Sequence, residues 1–238
     1  MKLALIGYGK MGKAIEEMAL HRRHEIVIKI DQPNLYEFTK ENLAKADVAI
    51  EFTGPHSALE NVRKCLEFGM PVVCGSTGWT EHLDEMKKLC AENFGAFIYS
   101  SNYSVGVNIF FEVNKKLAIL MAAHKEYEVI LEETHHTQKK DAPSGTAITL
   151  AEQILEHIKR KKQWVNDLSD NPEDLEIISQ RIDPAPGTHS IKYSSAIDNI
   201  EIIHTAHNRK GFATGALLAA EFLKDRKGFF TIKEVLDL

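Results

Sequence analysis

Residues 2–12 read KLALIGYGKMG. The run "KLALI" is apolar after its first lysine and short, the form of a buried strand, and the amphipathic stretch after it reads as a helix. Gly7, Gly9 and Gly12 stand at the junction with the spacing G-x-G-x-x-G. Each glycine has its own physical reason: Gly7 permits the tight turn, Gly9 lets the backbone come close to a pyrophosphate, and Gly12 lets helix and strand approach. The helix N-terminus then offers its unpaired N–H groups to the phosphates, with Tyr8, Lys10 and Met11 alongside. Asp31 falls at the end of the second strand, 19 residues past Gly12. A carboxylate there accepts hydrogen bonds from the adenosine ribose hydroxyls and repels a 2′-phosphate. Gln32 follows with no Arg beside it, so NADH is the expected cofactor. NADPH stays admissible, because Lys10 or Lys29 could reach a phosphate.

The same rhythm continues outward. "EIVIKI" (25–30), "DVAIEF" (47–52), "PVVCGS" (71–76) and "AFIYS" (96–100) read as strands, separated by helical stretches such as "HSALENVRKCLEF" and "TEHLDEMKKLCAENF". Near-continuous apolar strands with helical crossovers predict a parallel sheet covered on both faces, with ligands beyond the carboxyl ends of its strands. "GSTGW" (75–79) and "SSNYS" (100–104) follow two of these ends. Gly75, Ser76, Thr77, Ser100, Ser101 and Asn102 are small or polar enough for a nicotinamide ribose to approach, and Tyr103 could offer its ring to the nicotinamide. After residue 104 the pattern changes. A long apolar helix (107–123) leads to the strand "EYEVILEET", a helix "AITLAEQILEHIKRKK", and three strands, "LEIISQRID", "THSIKYSSA" and "IEIIHTAHN", that read as an antiparallel meander. "KRKK" (159–162) reads as a solvated helix end, and the last long helix, "FATGALLAAEFL", as one that packs back on the first domain. The expectation is α/β: a doubly wound parallel sheet formed by 1–104 with 209–238, and a smaller α/β domain, 105–208, with a mixed sheet.

With 44% hydrophobic residues the chain can bury a core, and a formal charge of −5 gives no electrostatic case for nucleic acid. No stretch approaches the roughly 18 apolar residues that span a bilayer. The apolar run before Gly7 is too short for a secretion signal, and Cys65, Cys74 and Cys90 are odd in number with no CxxC pair. These features lead to the expectation of a soluble cytoplasmic protein with a small-molecule partner.

The second informative stretch is "ETHHTQKKDAPSGTA", 133–147. On a strand, Glu133, His135 and Lys139 would share a face; if the strand ends early, His136 can swing into the same cleft from the loop. A reductase must supply a proton as well as a hydride. His135 suits that task because imidazole titrates near neutrality, and Lys139 is a second donor or a cation that lowers the imidazolium pKa. Ser144 reads as an N-cap, leaving the N–H groups of Gly145 and Thr146 free as a seat for a carboxylate. Ser144 is not in a G-x-S-x-G setting. The histidines His135, His136, His204 and His207 have no HExxH spacing and no carboxylate set, so no metal is expected.

Together, "GYGKMG", "EFTGPHSALENV", "GSTGW", "SSNYSVGVN", "ETHHTQKKDAPSGTA" and "HNRKGFATGALLAAEFL" resemble the 4-hydroxy-tetrahydrodipicolinate reductase (dihydrodipicolinate reductase) family of lysine and diaminopimelate biosynthesis, over residues 7–223. The resemblance implies a Rossmann domain completed by a C-terminal helix and a second domain that builds a homotetramer. It implies His135 as catalytic proton donor or acceptor, Lys139 as second proton donor, and His136, Gly145 and Thr146 as substrate-binding positions. Gly7 to Gly12, Asp31, Gly75 to Thr77 and Ser100 to Tyr103 match the dinucleotide site. The implied substrate is a small cyclic dicarboxylate. Two departures stand out: "SSNY" replaces a more usual small-residue–Asn–Phe run, and Gln32 stands where many relatives carry Arg. Rival readings are another two-domain NAD(P)-dependent reductase, a nucleotide sensor without chemistry, and a histidine-based metal hydrolase.

Overall fold

A computed structural model describes residues 1–238. The first stretch of chain holds β1 (Lys2–Ile6), α1 (Lys10–His21), β2 (Glu25–Ile30), α2 (Lys40–Leu43), β3 (Val48–Glu51), α3 (Ala58–Glu67), β4 (Val72–Cys74), α4 (Leu83–Glu92) and β5 (Ala96–Tyr99). There follow α5 (Val105–Met121), β6 (Glu128–His135), α6 (Gly145–His157), β7 (Gln163–Val165), β8 (Asp174–Arg181), β9 (Thr188–Ser194) and β10 (Asn199–Thr205). The chain ends with α7 (Lys210–Leu223), β11 (Gly228–Phe230) and α8 (Ile232–Leu236). Two compact units result: Met1–Asn108 with Arg209–Leu238, and Ile109–Asn208.

The first unit is a parallel six-stranded sheet in the order β11-β5-β4-β3-β1-β2. Alternate residues of β1 feed opposite cores. Leu3 and Leu5 pack with Ile15, Ala19, Ala216, Leu217 and Ala220, the buried stripes of α1 and α7. Ala4 and Ile6 pack with Val62, Cys65, Leu66 and Met86 of α3 and α4. This double burial is why the strands carry apolar side chains at successive positions instead of alternating ones. The chain turns from β2 on one side of β1 to β3 on the other, so the carboxyl ends of these strands flank a crevice of the kind that takes ligands in open α/β sheets. The last long helix packs into the first unit's core, as its apolar sequence suggests, while β11 lies outside every strand read from the pattern.

The second unit has a five-stranded mixed sheet, β10-β9-β6-β8-β7. Here the expected meander is wrong. β8 runs parallel to β6 and does not pair with β9; β6 lies between them, antiparallel to β9. Helix α6 therefore belongs to a crossover from β6 to its parallel neighbours, and only β9 and β10 form a hairpin. In register across the sheet, Leu131 meets Ile177 and Ile191, and these three pack with Leu150, Ala151 and Ile154 of α6. "KRKK" is also corrected. Helix α6 stops at His157, and Lys161 is buried, its Nζ 2.8 Å from Glu128 Oε2 and donating to the Pro172 carbonyl at 2.8 Å.

Candidate active site

In the first unit, a cavity of about 850 Å³ opens beyond β1, β2 and β3. Gly7, Tyr8, Gly9, Asp31 and Gln32 line it, joined by Leu35 and Phe38 and by the Thr53–Ser57 loop that follows β3. The three glycines differ in the space around them. A Cβ on Gly7 would fall 2.3 Å from the Phe52 carbonyl oxygen, and Gly7 has φ +92°. A Cβ on Gly12 would fall 2.3 Å from the Gly7 oxygen, so this glycine lets α1 lie against the loop. Gly9 has nothing within 4 Å of that position, and as the N-cap of α1 it places no side chain over the first-turn N–H groups. Bare amides facing open space at a helix N-terminus are a fit for a pyrophosphate. The Asp31 carboxylate accepts from Gln32 N at 2.9 Å and caps the short turn Gln32–Glu37, which holds it at the mouth of the cavity.

The other expected cofactor residues are placed differently. Lys10 is exposed, and Met11 packs partly against the core of α1 and α7. Gly75 leaves room for the Phe52 ring, which a Cβ would meet at 2.1 Å. Ser76 is buried, its Oγ accepting from Thr53 N at 2.9 Å, while Thr77 is exposed. Ser100 Oγ and the Asn102 backbone bond each other, and Ser101 is exposed. Tyr103 must be corrected. It is 1% exposed, its hydroxyl donates to the Cys74 carbonyl at 2.9 Å, and its ring tilts against Phe52. Gly215 of α7 makes room for its main chain, since a Cβ there would lie 1.7 Å from the Tyr103 backbone carbonyl oxygen. No face of this ring is left for a ligand. The Thr53–Ser57 loop and the Leu35–Phe38 wall went unread at the residue level, although a loop after a central strand of such a sheet is where ligands are expected.

In the second unit, β6 ends at His135, so Leu131, Glu133 and His135 share the buried face and Lys139 comes from the turn beyond it. Glu133 is the hub. It is 1% exposed and lies in register between Ser179 on β8 and His189 on β9, while His135 pairs with Arg181. Its Oε1 accepts from Ser179 Oγ at 2.8 Å, Arg181 Nη2 at 3.1 Å and Ser144 N at 3.1 Å. Its Oε2 lies 3.4 Å from His135 Nδ1 and 3.5 Å from His189 Nε2. Burial alone would raise the carboxyl pKa, but the bonds from His189, Ser144, Ser179 and Arg181 win and hold it well below the ordinary carboxylate range. Glu133, Ser179, Arg181 and His189 were not singled out as site residues.

His135 is 8% exposed, and its ring meets that of His189 edge-on at 5.1 Å. Burial pushes its pKa down to about 4; Glu133 opposes the shift, and His189, Lys139 and Arg181 add to it. With Nδ1 turned to Glu133, Nε2 is the outward nitrogen. Gly187 lies beside it, where a Cβ would come within 3.1 Å of Nε2. Lys139 Nζ is clamped by both Asp141 carboxylate oxygens at 2.8 and 2.7 Å, and Arg181 Nη2 also donates to the Asp141 carbonyl at 2.6 Å. His136 is half-buried in the turn, which Asp183 ties down by accepting from Thr137 N at 3.2 Å and Thr137 Oγ1 at 2.5 Å.

Ser144 caps α6 through Oγ, which accepts from Ala147 N at 3.2 Å and also bonds His189 Nε2 at 3.1 Å. Gly145, with nothing within 4 Å of a Cβ position, and Thr146 supply the first-turn N–H groups of the helix. The arrangement is a buried carboxylate and an imidazole 3.4 Å apart, beside a helix N-terminus and a lysine. Glu133, His135 and His189 each bring one ligand atom within 4.8 Å of the others, a spacing able to hold a metal ion. The Arg181 guanidinium on the same carboxylate already brings positive charge there. His204 and His207 are not part of that group; His204 instead tilts against Phe110.

Comparison with known proteins follows both units. The family description "Dihydrodipicolinate reductase, N-terminus" matches residues 1–103, and "Dihydrodipicolinate reductase, C-terminus" matches 106–236. A 4-hydroxy-tetrahydrodipicolinate reductase of Christiangramia forsetii is 49% identical over 236 residues, covering 99% of this chain and 98% of the relative. One from Methanoregula boonei is 34% identical over 197 residues, 82% of this chain and 76% of the relative. The solved structure of a dipicolinate-bound dihydrodipicolinate reductase from Paenisporosarcina sp. TG-14 superposes with a TM-score of 0.77 at 25% identity, covering 98% of each chain. On matches that take in almost every residue, this chain belongs to the dihydrodipicolinate reductase family.

Proposed function

We propose that the protein reduces 4-hydroxy-tetrahydrodipicolinate, by way of dihydrodipicolinate, to tetrahydrodipicolinate in lysine and diaminopimelate biosynthesis. Bound NAD(P)H supplies the hydride. The observation that carries the reading is the Glu133-centred cluster, which sets an imidazole beside the N-terminus of α6, where the space around Gly145 is open.

In this reading one substrate carboxylate sits on the N–H groups of Gly145 and Thr146, with His136 and Lys139 as further partners. Glu133 Oε2 lies 3.4 Å from His135 Nδ1, which leaves Nε2 outward. At pKa about 4 this imidazole is unprotonated in the free enzyme at neutral pH. Two incoming carboxylates favour the imidazolium, so His135 takes up its proton as substrate binds and delivers it to the ring carbon next to the one reduced. Lys139, held in place by Asp141, is the alternative donor. Gly7–Gly12 would hold the cofactor's pyrophosphate and Asp31 its adenosine ribose. NADH is preferred, because a carboxylate at Asp31 meets a 2′-phosphate with like charge. The protein works in the cytoplasm as a homotetramer, a state in keeping with the exposed Ile200 and Ile203 on the edge strand β10.

The test is consumption of NADH and of NADPH with substrate generated in place from pyruvate and aspartate semialdehyde. Substrate-dependent loss, faster with NADH, is expected. Protein that binds NADH yet oxidises none with this substrate would point to another reductase or to a nucleotide sensor.

A further inference from the structure

Beside the glycine loop, three side chains that no step above uses form a closed cluster. Tyr8 Oη donates to Glu16 Oε2, Lys29 Nζ donates to Glu16 Oε1 at 3.0 Å, and the same ammonium lies 4.7 Å from the Tyr8 ring centroid. Tyr8 lines the cavity and Lys29 is on β2, two residues before Asp31. Ile30 between them is buried, and Asp31 keeps an extended backbone, so the alternation of the strand sends Lys29 and Asp31 to the same side. Lys29 is thus a cation within side-chain reach of the place where a cofactor's 2′ position would meet Asp31. Its ammonium is already spoken for.

We propose that Glu16 is a cofactor-selectivity residue: by pairing with Lys29 it withholds the one β2 cation that would otherwise neutralise a 2′-phosphate beside Asp31. The inference rests on the reading of this cavity as the NAD(P)H site. With the pair closed, Lys29 and Glu16 cancel; the cation that lines the cavity, Lys64, has its Nζ 3.7 Å from Glu60 Oε1, so a 2′-phosphate entering there faces the Asp31 carboxylate with little compensation. A phosphate carries nearly two negative charges, so one added cation matters to it and hardly at all to a ribose hydroxyl. Glu16→Gln separates these effects well, because the amide oxygen still accepts from Tyr8 while the charge that holds Lys29 is gone.

The experiment is fluorescence titration of the full-length protein with NADPH and with NADH, for the wild type, Glu16→Gln, Lys29→Met and the double variant. Glu16→Gln is expected to tighten NADPH by about two- to fivefold, the scale of one exposed charge pair, and to leave NADH unchanged within error. High salt should shrink the gain, and the double variant should lose it. Equal tightening of both cofactors, or a gain that survives without Lys29, would overturn the proposal. Wild-type protein that binds neither dinucleotide would remove the cofactor reading itself. A wild type that binds NADH, with Glu16→Gln giving no NADPH gain, would remove only the role of Glu16.

Discussion

At the scale of single residues, Glu133 and His135 carry most of the chemistry. Glu133 is a buried anion held by a guanidinium, a serine hydroxyl, a backbone amide and two imidazoles. Glu133→Gln leaves Arg181 without its buried partner. It should cost about 3–5 kcal/mol of stability, the usual range for breaking such a pair, and lower both kcat and substrate affinity. Urea unfolding and steady-state kinetics would check it, and a variant as stable as the wild type would show that Glu133 is not the hub described. His135 makes a different prediction. Its pKa of about 4 in the empty site should rise when a dianion binds, so binding of dipicolinate as an unreactive dicarboxylate should take up protons near neutral pH. Calorimetry in buffers of different ionisation heat measures that uptake. It should fall in His135→Gln, and binding without uptake in the wild type would contradict the assignment.

Elements determine how these residues meet, and here the glycine loop gives a sharp contrast. Gly9→Ala places its methyl in open space at the tip of α1, so stability should change by about 1 kcal/mol or less while NADH binding weakens roughly tenfold. Gly12→Ala drives a Cβ into the Gly7 carbonyl and should instead destabilise the fold by about 1–3 kcal/mol. Thermal unfolding and NADH titration of the two variants separate the roles, and equal stability losses would erase the distinction. Local pattern was enough to place this loop at the start of α1, Asp31 at the end of β2, the Ser144 cap and the shared face of Glu133 and His135, because each depends on neighbours within a few residues. It was not enough for Ser179, Arg181 and His189. They join Glu133 only because β6 inserts between β8 and β9, a long-range pairing that an apparent run of three strands conceals. Tyr103 failed for a related reason. Its ring packs on Phe52 and its main chain lies against Gly215, more than a hundred residues away, and nothing near "SSNYS" signals either contact.

For the whole molecule, the same two groups set a pH dependence of stability. Both fold with pKa values below their unfolded ones, so the unfolded chain binds more protons and stability rises with pH across the window. The His135 contribution is complete above its ordinary pKa of 6.5 and is lost as pH falls to about 4, an effect of up to about 3 kcal/mol. Glu133 begins to add to the loss below its ordinary value of 4.5. Urea midpoints should therefore drop between neutral pH and pH near 4, and drop less in His135→Gln; equal drops would show that the imidazole is not the titrating group. The most direct test of the account as a whole is substrate-dependent NADH oxidation by the wild type and by His135→Gln, with NADH binding measured on both. Rapid oxidation by the wild type is expected, and a variant slower by about 10² to 10⁴ with cofactor affinity intact. A variant that turns over like the wild type would contradict it, as would a wild type that binds NADH and leaves it unoxidised.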